Sequence, residues 1–357
     1  MNKIPVGILG ATGMVGQRFV HLLENHPWFE VAAVAASEKS AGKTYREAVA
    51  GRWTRGSIPQ HVAGLTVRNV MNVDAVAREV ACVFSSLDMD AHALRALEDA
   101  YAQKEIPVVS TASAHRWTPD VPMIIPEVNP EHLGIIPSQR KRLGTKRGFV
   151  VVKPNCSIQS YVPPLHALAD FGPTDVSVCT YQAISGAGKT FATWPEMADN
   201  VIPFISGEEE KSEQEPLKIW GCIDGNRIVN AAGPRISAHC IRVPVSDGHL
   251  AATSVSFSTK PTADQILDSW KGFAGRPQEL KLPSAPVPFL RYLTEAHHPQ
   301  TRLHRDEGNG MAITIGRLRE DNLFHYKFAA LSHNTLRGAA GGAVLTAELL
   351  KAEGYLD

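Results

Sequence analysis

No stretch of this sequence approaches the ~20 consecutive apolar residues that a helix needs to cross a bilayer. Charge of one sign is also missing. Lys plus Arg number 36 and Asp plus Glu number 36, so the formal net charge is zero. That balance argues against a nucleic-acid partner held on a strongly basic face. Cysteine is scarce: five are scattered through the chain, at Cys82, Cys156, Cys179, Cys222 and Cys240, and no two form a CxxC pair. Neither a disulfide framework nor a zinc site is expected, and a reducing cytoplasm fits best. Met1 to Pro5 leads straight into a strand-like run, with no signal-peptide h-region. His297, His298 and His304 lack a helical ligand pattern such as HExxH, which leaves metal-dependent hydrolysis unsupported and makes them part of a loop.

What is present is an ordinary globular mix over 357 residues, 44% hydrophobic and 20% charged. That length suggests two domains with cores that need no disulfide or metal staple. The first part alternates strand and helix. Apolar runs at Pro5–Leu9, Val31–Ala36, Cys82–Phe84 and Val108–Ser110 read as strands, and Gln17–Asn25 and Ala91–Gln103 as helices. Such alternation predicts a Rossmann-like, doubly wound parallel sheet. The character changes after about Lys153. Thr174–Ala183, Leu250–Ser258, Asn309–Leu318 and Leu323–Ala330 are β-rich, predicting an α+β second domain with a mostly antiparallel sheet. Asn334–Gly354 is helical in pattern and is expected to return to the first domain. The division is therefore 1–153 plus 334–357 for nucleotide binding, and 154–333 for catalysis and dimerisation. Glu208–Lys211, with Glu213 and Glu215, is the densest charge run and reads mostly as a solvated helix start.

Gly10, Gly13 and Gly16 follow a strand and open a helix. Glycines there let the backbone approach a pyrophosphate, which the helix N-terminus then holds with free N–H groups. The spacing is GxxGxxG rather than GxGxxG, and glycines also serve simple turns. After the second strand come Ser37, Glu38, Lys39, Ser40 and Lys43. Hydroxyls and lysines suit the 2′-phosphate of NADP, whereas Glu38 would suit a ribose hydroxyl and the lysines are also common surface residues.

Two further segments carry chemistry. Pro154-Asn155-Cys156-Ser157 stands at a strand-to-helix junction, before a predicted helix over Ile158–Phe171 that Pro163 and Pro164 break early. A helix N-terminus lowers a thiol's pKa, which would single out Cys156 among cysteines that are more often small buried hydrophobes. Arg242 and His249 flank a turn before a strand. Arginine can grip a carboxylate bidentately, and histidine can move protons near neutrality. With 14 histidines in the chain, any one is more often structural, and His239 and Cys240 lie close by.

Together these segments resemble the aspartate-semialdehyde dehydrogenases over nearly the whole chain, and their archaeal and fungal branch more than the common bacterial one. The resemblance is carried by GATGMVGQ at 10–17, Ser110 to Arg116, DVPMIIPEVN at 120–129, KPNCS at 153–157, YQAISGAGK at 181–189, EEEK at 208–211, RVPVSDGH at 242–249 and the closing NTLRGAAGGAVLTAELL. It implies an NADP-dependent reduction of aspartyl 4-phosphate to aspartate 4-semialdehyde through a cysteine thioester, in lysine, methionine and threonine biosynthesis. It implies that Cys156 is the nucleophile, and that His249 helps deprotonate it and later manages the hemithioacetal proton. Gln182 would orient substrate. Arg242 would hold the substrate carboxylate, and Glu208 (or Glu209) its ammonium. Arg116 and Lys211 would hold phosphate, with Asn155 or Asn129 nearby. Gly10, Thr12, Gly13, Met14 and Val15 would line the pyrophosphate, and Ser37 and Ser40 the 2′-phosphate. Ser85, Ser185, Gly186, Asn334 and Gly338 would lie toward the rest of the cofactor. Thr111 stands where an asparagine is common. A homodimer or homotetramer is implied, built through the second domain. Three alternatives stay open: a malonyl-CoA reductase, an N-acetylglutamyl-phosphate reductase, and a silent redox-sensing nucleotide binder that would not need Cys156, Gln182, Arg242 and His249 together.

Overall fold

The structure is a computed structural model that describes residues 3–53 and 56–357. Six strands form the first sheet: β1 (Ile4–Leu9), β2 (Phe29–Ala36), β3 (Arg68–Asn69), β4 (Cys82–Ser85), β5 (Val108–Ser110) and β6 (Val150–Val152). Their order is β3-β2-β1-β4-β5-β6 and every pairing is parallel. This is the doubly wound arrangement, in which ligands sit beyond the C-terminal strand ends where the order reverses, here between β1 and β4. Helices cover both faces, so the strands are apolar along most of their length. Cys82 to Phe84 in β4, and Val150 to Val152 in the edge strand β6, are fully buried. The Ala91–Gln103 helix forms as its pattern predicts. Asp90 caps it by accepting from the His92 and Ala93 N–H groups, and Leu94, Leu97 and Tyr101 make its buried stripe.

The second sheet contains β7 (Pro173–Gln182), β10 (Arg235–Arg242), β11 (His249–Phe257), β12 (Leu290–Leu293), β13 (Ile313–Glu320) and β14 (Tyr326–Ser332), while β8 (Cys222–Asp224) and β9 (Arg227–Val229) pair as a small hairpin. Its order is β10-β7-β11-β14-β13-β12. The three central pairings are antiparallel and the two edge pairings parallel. Along β7, Val176, Val178, Thr180 and Gln182 are buried and alternate with partly exposed Ser177, Cys179 and Tyr181, as expected for a sheet with one face on the core.

Two departures from the sequence expectation concern the site. The run after Cys156 is not one helix. It is a 3-10 turn at Ser157–Ser160, a short helix at Val162–His166 and a second 3-10 turn at Ala169–Phe171. Pro163 and Pro164 fall in the first turn of that short helix, where a missing N–H breaks no hydrogen bond, so they start a helix rather than break one. The segment ending at Arg242, for which the sequence suggested no element, forms the edge strand β10. Its tip delivers Arg242 beside Gln182, the last residue of β7.

The chain's closing segment packs against the first half. Ala343, Val344, Leu345, Ala347, Leu349 and Leu350 join the core built on β1, β2 and the Met14–Leu22 helix. The Gly341–Ala352 helix is buried on nearly every side, which explains its lack of a polar face. Arg337 just before it makes a bidentate ion pair with Glu127 at 2.8 and 2.7 Å, and both side chains are fully inaccessible.

Candidate active site

A cleft of about 340 Å³ opens between the two sheets. One wall belongs to the nucleotide half. Gly10 adopts φ +82°, and a Cβ there would lie 2.8 Å from the Ser86 carbonyl oxygen. A Cβ on Gly16 would lie 2.2 Å from the Gly10 carbonyl oxygen, so the loop folds flat on the helix it opens. That helix has no side-chain cap and no acidic residue in its first turn. Thr12, Gly13, Met14 and Val15 remain at least partly exposed there, and Val15 reaches the cleft. Bare N–H groups at a positive helix end fit the pyrophosphate of a dinucleotide. Ser37 and Ser40 occupy the turn after β2, whose Ala35 carbonyl receives the Gly10 and Ala11 N–H groups. The expectation for Ser85 needs correction. It is wholly buried with its hydroxyl toward Glu98, and Ser86 lines the cleft instead.

The other wall centres on Cys156. Its backbone is fixed by the residue before it. Asn155 Oδ1 accepts from the Ser157 N–H at 2.7 Å, and Asn155 N–H donates to Glu215 at 2.6 Å. The Asn155 amide nitrogen donates to both Glu208 oxygens, at 3.0 and 2.9 Å. From Glu208 a closed circuit of polar contacts runs through Gln182, Thr180, Cys240, Ser212 and Ser157 back to Asn155. The circuit holds Glu208 and Gln182 in place and accounts for buried Cys240 as a link in it. Glu209 instead accepts from the Cys240 N–H, so Glu208 is the acid that faces the cleft.

His249 Nε2 lies 3.4 Å from Cys156 Sγ. Its Nδ1 accepts from the Ala183 N–H at 3.1 Å. A nitrogen that accepts carries no proton, so the neutral ring bears its proton on Nε2 and points it at the sulfur. Burial, and then the Arg242 charge, push the imidazole down to about 3. In this resting tautomer His249 can donate toward sulfur and whatever binds there. The expected helix dipole at Cys156 is absent: only a 3-10 turn directly follows it, and burial followed by the Glu208 charge pushes its thiol up to about 11.

Arg242 Nη1 donates to the Ala183 carbonyl at 2.7 Å, and a Cβ on Gly186 would lie 2.8 Å from that nitrogen. Gly186 lines the cleft, and Arg242, His249 and Gln182 lie behind that lining. Asn334 ties two loops together, donating to Ser185 Oγ at 2.9 Å and accepting from the Gly248 N–H at 2.8 Å. Gly338 lies against Cys156, where a Cβ would come within 2.7 Å of the cysteine Cβ.

Lys211 lines the cleft and pairs with Glu208 at 3.0 Å. Arg116 also reaches the cleft, but it donates to the Lys153 carbonyl, Glu215 and the Thr111 carbonyl, so protein groups already hold part of its fork. Asn129 does not belong to the site. Its amide is spent on Ile125, Met123 and His132 inside a buried loop. Sequence reasoning missed Glu215, Lys218 and Lys153. Lys218 donates to the Arg116, Thr118 and Val121 carbonyls and so fixes the loop that carries Arg116. No local signal marks these three, because charged residues are exposed by default.

Residues 5–136 match the family model described as semialdehyde dehydrogenase, NAD binding domain, and residues 163–337 match the semialdehyde dehydrogenase, dimerisation domain. The fold and cleft therefore define a two-domain dehydrogenase of the semialdehyde class. Among its relatives, the aspartate-semialdehyde dehydrogenase of Archaeoglobus fulgidus is 42% identical, with 98% of each chain covered, and that of Aspergillus fumigatus is 41% identical, with 99% of each covered. A crystal structure of aspartate semialdehyde dehydrogenase with NADP from Candida albicans superposes with a TM-score of 0.89 at 36% identity, covering 99% of this chain and 100% of that one. The chain belongs to the aspartate-semialdehyde dehydrogenase family.

Proposed function

We propose that the protein catalyses the reversible, NADPH-dependent conversion of L-aspartyl 4-phosphate to L-aspartate 4-semialdehyde and phosphate, as a step of lysine, methionine and threonine biosynthesis. The observation that carries this reading is a thiol lining the cleft, with a buried imidazole 3.4 Å behind it, in a cleft that also presents a carboxylate, an ammonium and a guanidinium. Cys156 attacks the acyl carbon and phosphate departs, leaving a thioester. Arg116 and Lys211 receive the phosphate, with Asn155 beside them. Arg242 takes the substrate carboxylate, Glu208 the ammonium, and Gln182 orients the acyl group near sulfur. His249 Nε2–H donates to the developing oxyanion. NADP, when bound, supplies the hydride chemistry, and the fit of Gly10 and Gly16 to a close backbone approach supports its place along the first wall. Gly10, Thr12, Gly13, Met14 and Val15 would hold the pyrophosphate, and Ser37 and Ser40 the 2′-phosphate. Ser86, Ser185, Gly186, Asn334 and Gly338 would border the remainder. An acidic group facing the substrate favours an amino-acid acyl phosphate over malonyl-CoA, which has no ammonium.

Packing of the closing helix on the first core supports boundaries of 1–153 plus 334–357 and 154–333. The match to a dimerisation domain and the partly exposed face of β7 support a homodimer or homotetramer formed through the second domain. Among the described residues no helix is long and apolar enough to cross a membrane, and a cytoplasmic biosynthetic role is proposed. The test is the absorbance of NADPH formed from semialdehyde, NADP and phosphate. Activity should require phosphate, and Cys156→Ala should lower kcat by ~10⁴-fold or more while leaving NADP affinity nearly unchanged. Full turnover by that variant would remove Cys156 from the mechanism.

A further inference from the structure

The thiol and the phosphate-binding arginine of the proposed reaction come from different parts of the chain. Cys156 follows β6, and Arg116 lies in the loop after β5. Both must meet one acyl phosphate, the sulfur at its carbonyl carbon and the guanidinium at its leaving group. A misplacement of ~1 Å between such groups can cost ~10²-fold in rate.

A side chain on a third element sets their spacing. Glu215 belongs to the Glu208–Ile219 helix and is fully buried. Each of its carboxylate oxygens takes a different donor. Oε1 accepts from Arg116 Nη1 at 2.8 Å, and Oε2 accepts from the Asn155 N–H at 2.6 Å. Asn155 directly precedes Cys156, so one carboxylate grips both the arginine and the backbone beside the thiol. Arg116 closes the bracket by donating from Nε to the Lys153 carbonyl at 3.1 Å. The chain leading to the nucleophile is thereby clasped at residues 153 and 155.

The same contacts decide how Arg116 is presented. A guanidinium has five N–H bonds. Lys153, Glu215 and Thr111 take one each, at Nε, Nη1 and Nη2. Among the described residues no protein acceptor takes the other two, which sit one on each terminal nitrogen. Arg116 lines the cleft, so an anion there can still be gripped by a fork. Lys218 holds the backbone of that loop from the same helix as Glu215, donating to the Arg116, Thr118 and Val121 carbonyls at 2.6, 3.0 and 3.0 Å. Glu208 and Lys211, at the start of the helix, line the cleft. Spaced three or four residues apart, Glu208, Lys211, Glu215 and Lys218 share one helix face.

We propose that Glu215 is a positioning residue that sets the phosphate arginine against the nucleophile loop, aligning leaving group and thiol through one carboxylate. The proposal deepens the proposed reaction and rests on its reading of Arg116 and Cys156. Glu215 does not line the cleft and acts through Arg116 and Asn155. Its chemistry fits the task. Both partners are donors, so both oxygens must accept. A glutamine offers one acceptor and one donor, and satisfies one partner only by turning an N–H against the other. An aspartate keeps two acceptors but is one methylene short of reaching both.

The test reads phosphate binding without turnover. Inorganic phosphate at Arg116 should shield Cys156 from iodoacetamide in the NADP-loaded enzyme, and the half-protecting concentration measures the site. In Glu215→Gln that concentration should rise ~10-fold, the loss of one charge-assisted hydrogen bond, with NADP affinity unchanged. Glu215→Asp should shift it in the same direction. In steady state KM for phosphate should rise and kcat fall, while KM for the semialdehyde holds. An unchanged half-protecting concentration overturns the proposal. So does a rise matched in NADP affinity and in the semialdehyde KM, the result a general loosening of the fold would give. If neither variant folds, unaltered protein carrying ¹⁵N-asparagine decides. Phosphate on Arg116 weakens the pull on Glu215 and strengthens its bond to Asn155, so the Asn155 amide proton should move downfield as phosphate is added. A resonance that stays still at saturating phosphate overturns the idea. Failure in the variants leaves the proposed reaction standing, whereas absence of phosphate protection in the unaltered protein would remove Arg116 from that reaction and this proposal with it.

Discussion

The two walls of the cleft work by opposite means. The nucleotide wall is built of backbone: glycines, a bare helix end and hydroxyls set along the C-terminal edge of a parallel sheet. The catalytic wall is built of side chains locked to one another: Asn155, Glu208, Gln182 and their partners at the tips of β7 and β10 and the start of the Glu208–Ile219 helix. Backbone donors fit any dinucleotide of the right shape. Locked side chains recognise one arrangement of charges. Substrate specificity should therefore be fragile on the second wall, and cofactor binding should depend on steric room on the first.

Substitutions can separate the two walls. The largest effect is expected on the side-chain wall. Arg242→Lys keeps the charge but loses the planar fork, and kcat/KM for the semialdehyde should fall by ~10²-fold or more, with NADP affinity unchanged. Steady-state kinetics alongside NADP titration calorimetry check both halves of that statement. A comparable fall in NADP affinity would show that the walls are not separable. Next is Gly16→Ala on the backbone wall. The added methyl meets the Gly10 carbonyl, so NADP affinity should fall by ~10-fold, with a stability loss of ~1–3 kcal/mol read from denaturant melts. Unaltered affinity would mean that the loop has slack.

The smallest effect is on acid stability, and it falls on the side-chain wall. His249 is held down to about 3 and His333 to about 4, both chiefly by burial. In the unfolded chain each takes up a proton near pH 6.5. The unfolded state therefore binds more protons between those values, and stability falls as pH drops from about 6.5 toward 4. Thermal melts across that range should show His249→Asn with a shallower decline than the unaltered protein. Parallel curves would mean that the imidazole is not shielded.

Much of the first wall was legible in the sequence. Parallel strands buried on both faces read as plain apolar runs, and Ala91–Gln103 carries an amphipathic stripe with its own cap, so local pattern and tertiary role agree there. The glycine loop was legible because its chemistry is local. On the second wall Cys156, His249 and Arg242 stood out by type and motif, but their working state did not. Arg235–Arg242 mixes charge, serine and alanine too freely to announce a strand, and it becomes one only by pairing with β7. The tautomer of His249 depends on a backbone N–H 66 residues away in sequence. Glu215, Lys218 and Lys153 look like surface charges until tertiary packing encloses them. Electrostatics inside a cleft depend on distances between segments, and no single stretch of sequence records those.

Asn334 has a consequence for biogenesis. Its one amide fastens the Ser185 loop to the Gly248 turn from a position 86 residues beyond that turn, in the same stretch as the glycines under Cys156 and Lys153. A nascent protein still on the ribosome can fold its earlier strands and display its thiol, yet these two loops have nothing to tie them together until that later stretch emerges. The pocket is thus completed by residues made well after those that line most of it.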